Sequence, residues 1–155
     1  MKTHLVAAAA LSAFVLSATP LLAQGINSKE AIDAIVGSKV EEEAAKAATD
    51  ADRVIAAIDH TTEATAAIRK ATKLAKVEIV YLTDASATEG GPPPAIASKI
   101  EEKKAEIGEL RKELEGNAML FHAIDSRQIL IGDVLAVSFD GTETATIYAA
   151  ARPGG

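Results

Sequence analysis

The chain has 155 residues, a formal net charge of −6, no cysteine, and aromatic residues at only 3%. The acidic balance disfavours nucleic acid and anionic membrane surfaces as partners, because both need clustered Lys and Arg to displace counterions. The lack of cysteine excludes disulfides, thiolate metal sites, thiol chemistry and a lipid-modified N-terminal Cys.

The opening residues predict export. Met1-Lys2-Thr3-His4 has the form of a short n-region, Leu5 to Leu16 is an uncharged apolar run, and Ser17 to Pro20 interrupts it ahead of Leu21-Leu22-Ala23. That order reads as a signal peptide over residues 1–23 with cleavage after Ala23, although Leu21 stands at −3 where a small residue is preferred. An uncleaved anchor is the alternative; its apolar length is near the lower bound for a bilayer, and Pro20 breaks it. The mature protein is expected to be periplasmic or secreted, with no membrane contact beyond the signal peptide.

Residues 24–37 are a short lead and helix, with Asn27-x-x-Glu30 at capping-box spacing ahead of Ile32, Ile35 and Val36. Residues 38–152 read as a single α+β domain, and 153–155 as a tail. Ser38-x-x-Glu41 has the same capping-box spacing and predicts a helix that runs to about Lys76. Along it Ala47, Ala51, Val54, Ile58, Thr61, Thr65, Ile68, Thr72 and Ala75 recur at alternating steps of four and three, which is a heptad seam. The many threonines lower helix propensity, so Thr49–Asp52 and Asp59–Thr62 are the weak points of this helix. Alanine at seam positions lets another helix approach closely.

Val77 to Leu82 switches to β-branched and aromatic residues and predicts a strand, apolar on both faces and so expected inside a sheet or under a helix. Thr83 to Pro94 is a loop, and Pro94 is well placed to open the next helix. A second long helix is predicted over 95–125, where Ile96, Ile100, Lys103, Ile107, Leu110, Leu114, Asn117, Phe121 and Ile124 keep the heptad spacing. The pairs Glu101–Lys104, Lys103–Glu106 and Glu109–Lys112 lie one turn apart on its solvated face. At Gly116-Asn117 the helix either ends, leaving residues 117–125 to form a strand, or continues; the register through Phe121 and Ile124 favours continuation.

A β-hairpin is predicted at 133–149. Asp140-Gly141 suits a two-residue type I′ turn, which would pair Phe139 with Thr142, Val137 with Thr144 and Leu135 with Thr146. The fold expected is α+β: two long helices packed as an antiparallel pair, with a small sheet made of the strand at 77–82 and the hairpin at 133–149.

The mature chain offers two histidine–carboxylate pairs at helical spacing, His60 with Glu63 and His122 with Asp125. Each could supply two ligands to a divalent metal, although two ligands do not complete a site. His122 near a helix C-terminus also has a structural reason, since an imidazolium suits that end of the helix dipole. His122, Asp125 and Ser126 include the residue types of a hydrolytic triad, but a working triad converges from different segments. No cofactor is expected. The function expected is a protein–protein interaction or structural module of the cell envelope, meeting a protein partner or its own copy through the helical seams. The alternative is an exported protein that binds a small ligand or divalent metal, using the threonine-lined face of the sheet or the acidic helix face.

Overall fold

The computed structural model describes residues 37–85 and 90–150, so the expected signal peptide, the lead before Gly37 and the tail lie outside the described residues. A central strand organises the rest. Strand β2 (Lys76–Leu82) buries both faces, so it needs a neighbouring strand on each side and cover above and below. It pairs in parallel with β1 (Lys39–Ala45) on one side and with β4 (Thr144–Ala149) on the other. Strand β3 (Val134–Asp140) pairs antiparallel with β4, which gives the sheet order β1-β2-β4-β3. The fold is therefore α+β, with a mixed four-stranded sheet and five α-helices among the described residues.

Residues 39–45 correct the sequence reading: they form a strand where a helix is expected. Their glutamates and alanines favour a helix locally, but propensity is a small effect beside a full ladder along β2. Ser38 caps nothing. It is buried, and its hydroxyl donates to the Leu74 carbonyl at 2.5 Å, fastening the start of β1 to the segment that leads into β2.

The predicted first helix survives as α1 (Ala51–Asp59) and α2 (Thr61–Lys70), jointed at His60. Its seam lies inward: Val54, Ile58, Thr61, Thr65 and Ile68 are all buried. The two buried threonines return their hydroxyls to the preceding turn, Thr61 to the Ile58 carbonyl and Thr65 to the Thr61 carbonyl. The second helical stretch is α3 (Pro94–Glu102), α4 (Lys104–Gly116) and α5 (Ala118–Asp125), jointed at Lys103 and Asn117. Residues 118–125 are thus helix, and the three ion pairs expected on the solvated face all form.

The direction of the helix pair is the second correction. α1 packs on α3 and α2 on α4. Lys99 meets Asp59 at 2.9 Å, Arg69 meets Glu113 at 2.8 Å, and the Asn117 amide reaches the Ile68 and Ala71 carbonyls. Partners advance together along both stretches, so the pair runs parallel. The cause is topological: α1 follows β1 and α3 follows β2, and strands that run parallel launch their helices from the same end.

The third correction is the hairpin register. Asp140 pairs with Thr144, Ser138 with Thr146 and Val137 with Ile147, so the loop is Gly141-Thr142-Glu143, with Gly141 at φ +65°. This register is three residues from the expected one. An odd shift exchanges the faces, so Val137 and Phe139 share a face with Ala145 and Ile147, and the threonines share theirs with Ser138. The gain is burial: Val137, Ala145 and Ile147 enter one core with Ile68, Val77, Ile79, Leu110, Leu114 and Ile124, and Phe139 packs against it. On the opposite face Val80, Leu82 and Tyr148 share a second core with Val54, Ile58, Ile96 and Ile107.

Candidate functional site

The face that bears the threonines is apolar at one end and polar at the other. Pairing across the sheet sets Glu41 beside Glu78, and sets Lys76 beside Thr144 and Glu78 beside Thr146. The side chains form a chain of contacts. Lys39 meets Glu41 at 2.6 Å and Lys76 bridges Glu41 (2.7 Å) and Glu78 (2.5 Å); the Thr146 hydroxyl donates to the second Glu78 oxygen at 3.1 Å. Bonds from Lys39 and Lys76 hold Glu41 at about 2. The same contacts, Glu41 first and Glu78 second, raise Lys76 above the ordinary lysine range. Glu78 is lowered, chiefly by Lys76 and further by Thr146, against the opposing effect of burial.

Next to this polar end the helices do not close down on the sheet. A groove of about 600 Å³ opens between them. Its helical wall is Arg53, Ala56, Ala57 and His60 of α1 and the joint, with Glu63, Ala64 and Ala67 of α2. Its sheet wall includes Glu78, Ser138, Phe139, Asp140, Thr144 and Thr146. The groove exists because small residues face small residues: four alanines on one side meet serine and threonine on the other. Ala57 and Ala64 are buried beside the seam and floor the groove, whereas Ala56 is exposed and Ala67 half-buried at its rim.

The sequence-derived metal candidates are placed apart from one another. His60 Nδ1 lies 3.8 Å from Glu63 Oε2, both side chains are 72% exposed, and both residues border the groove. His122 and Asp125 are exposed on α5, where the His122 ring stands edge-on to Phe121. Among the described residues no three His, Asp or Glu side chains gather into a set able to hold a metal ion. Ser126 is committed elsewhere: its hydroxyl donates to the Ala123 carbonyl and accepts from Arg127. That leaves it unsuited to act as a nucleophile served by His122.

Two features escaped the sequence. Arg127 is buried with a side-chain exposure of 3%, and its guanidinium lies 3.4 Å from Glu42 of β1, whose other oxygen lies 3.4 Å from the Tyr81 hydroxyl. This network fastens the segment after α5 to the edge strand on the face opposite the groove. Asp84, after β2, receives the backbone N–H groups of Ala47 and Ala48. Burial acts to raise its pKa, but those donors outweigh it and the carboxyl titrates low. It pins the loop after β1 and is occupied in doing so.

Among the described residues, fold and groove together define an α+β protein with an open, mixed-polarity groove beside a half-polar sheet. No protein-family model, curated protein or solved structure matches the chain.

Proposed function

We propose that the mature chain is an exported binding module and that the groove between α1–α2 and the threonine-bearing face of the sheet is its ligand site. The observation that carries this reading is a groove of about 600 Å³ beside two fully packed cores. That size falls within the range of small-molecule sites, and the lining sets alanine and Phe139 beside hydroxyl and charged groups that can fix a ligand's orientation. Export rests on the order of n-region, apolar run and small residues over residues 1–23. Binding is favoured over catalysis because Glu78 has both oxygens engaged and its pKa lowered, whereas a general base works with a pKa near the operating pH.

Association through the helical seams is not part of this proposal. The seam residues from Val54 to Ile68, and Ile96, Ile107, Leu110, Leu114 and Ile124, are buried within the chain's own fold. A partner could reach them only by opening it.

The test is a fragment screen by thermal melting, run on the unaltered chain and on Ala67→Leu, which fills the groove from the half-buried surface of α2. A fragment at ten times its Kd adds about 1.4 kcal/mol to the native state. The expected result is fragments that raise the midpoint of the unaltered chain and leave Ala67→Leu unmoved. Fragments that shift both proteins equally, or a screen with no hits, would overturn the proposal.

A further inference from the structure

We infer that the ligand of this groove is a small organic monocation: a protonated amine attached to an apolar body. The inference rests on the groove being a binding site, as proposed above, and adds the chemical class.

The charges lining the groove are Arg53 and the titratable His60 on α1 and its joint, Glu63 on α2, and Glu78 and Asp140 on the sheet. One guanidinium therefore faces three carboxylates. Two of these groups are already engaged: Arg53 lies 3.9 Å from Asp50, and Glu78 holds Lys76 and Thr146. Asp140, exposed at the end of β3, makes no ion pair among the described residues, and Glu63 has only the imidazole of His60 at 3.8 Å. The groove thus presents from each wall one carboxylate that no Lys or Arg pairs among the described residues, with Ser138 and Thr144 beside Asp140 on the sheet wall as hydroxyl acceptors. The rest of the lining includes Ala56, Ala57, Ala64 and Ala67 on the helical wall and Phe139 on the sheet wall, a surface suited to hydrocarbon that offers an anion no donor. An anion would meet net negative charge, and a neutral molecule would forgo the attraction of both carboxylates. A cation with an apolar body satisfies both halves of the lining.

The experiment compares three probes of one skeleton, 2-phenylethylamine, 2-phenylethanol and phenylacetate, by titration calorimetry at low and high salt. Each is run against the unaltered chain, Ala67→Leu, and the double variant Glu63→Gln/Asp140→Asn. The amine is expected to bind, and more weakly as salt rises. Its affinity should fall about two- to fivefold per carboxylate removed, as for exposed charge pairs, and vanish in Ala67→Leu. The double variant keeps the groove's shape, so its retained fold is checked by an unchanged melt. Two results overturn the inference: no binding of the amine at millimolar concentration, or equal binding of amine and alcohol that ignores the double variant. If amine and alcohol bind equally and Ala67→Leu abolishes both, the cation class falls while the groove remains a site.

Discussion

Asn117 is the residue on which the parallel helix pair most visibly depends, and replacing it measures that arrangement. Its side-chain oxygen accepts from the Leu120 N–H at 3.2 Å and caps α5, while its amide nitrogen donates to the Ile68 and Ala71 carbonyls at 2.9 Å each. Those two carbonyls belong to the last turn and cap of α2, where Ile68 already accepts from the Ala71 N–H and the Asn117 amide adds a donor from outside the helix. Loss of an N-cap costs about 1 kcal/mol, and each neutral hydrogen bond contributes about 0.5–1.5 kcal/mol net. Asn117→Ala should therefore cost about 2–4 kcal/mol in urea unfolding with an unchanged m-value. Asn117→Ser keeps an oxygen able to cap α5 but cannot reach α2, so it should recover about 1 kcal/mol of that loss. If Asn117→Ala falls within about 0.5 kcal/mol of the unaltered chain, the size of an ordinary surface substitution, then the α2–α5 bridge does not form and the parallel pairing loses its clearest tie.

Two further perturbations probe the sheet. Glu41 titrates at about 2 in the folded chain against an ordinary value of 4.5, so its contribution is complete above 4.5 and is withdrawn as pH falls towards 2. Chemical denaturation across that window should show stability declining, and Glu41→Gln should flatten the decline; an unchanged slope would refute the bridging role of Lys76. Glu42→Gln removes the carboxylate partner of the buried Arg127. It should destabilise the chain by about 1–3 kcal/mol, the size of one charged hydrogen bond, because Arg127 keeps its bond to Ser126. A double replacement, Glu42→Leu with Arg127→Met, should recover a good part of that loss, and failure to recover any would show that the residues act separately.

What the sequence makes legible here is local, and what it hides is pairing. Strand β2 is readable because Val77 to Leu82 combines β-branched residues with apolar character on both faces. The seams are readable because Val54, Ile58, Ile68, Leu110 and Leu114 are large and periodic. Strand β1 is not, because Glu41-Glu42-Glu43-Ala44-Ala45 favours a helix and becomes a strand only through a ladder to residues nearly forty positions away. That single omission carries the error in helix direction: without β1 there is no pair of parallel strands to launch α1 and α3 from one end. The hairpin fails in a different way. Asp140-Gly141 is a good two-residue turn, yet burying Val137 and Phe139 beside Ala145 and Ile147 outweighs it. The groove inherits both difficulties. Its threonines and alanines are visible as types, but which of them face each other depends on the hairpin register and on the placement of α1 and α2 over the sheet. Nothing in the spacing of His60, Glu63, His122 and Asp125 distinguishes the pair that borders the groove from the pair that does not.

The most direct test of the central claim, that the groove is where this chain binds, is amide-resolved NMR of the chain titrated with the best fragment from the melting screen. Binding in the groove should move the amides of Ala57, Ala64, Ala67, Ser138, Thr144 and Thr146 and leave those of α5 in place. Shifts concentrated on α5 around His122 and Asp125, or along the outer edge of β1, would contradict the claim and move the binding surface away from the groove.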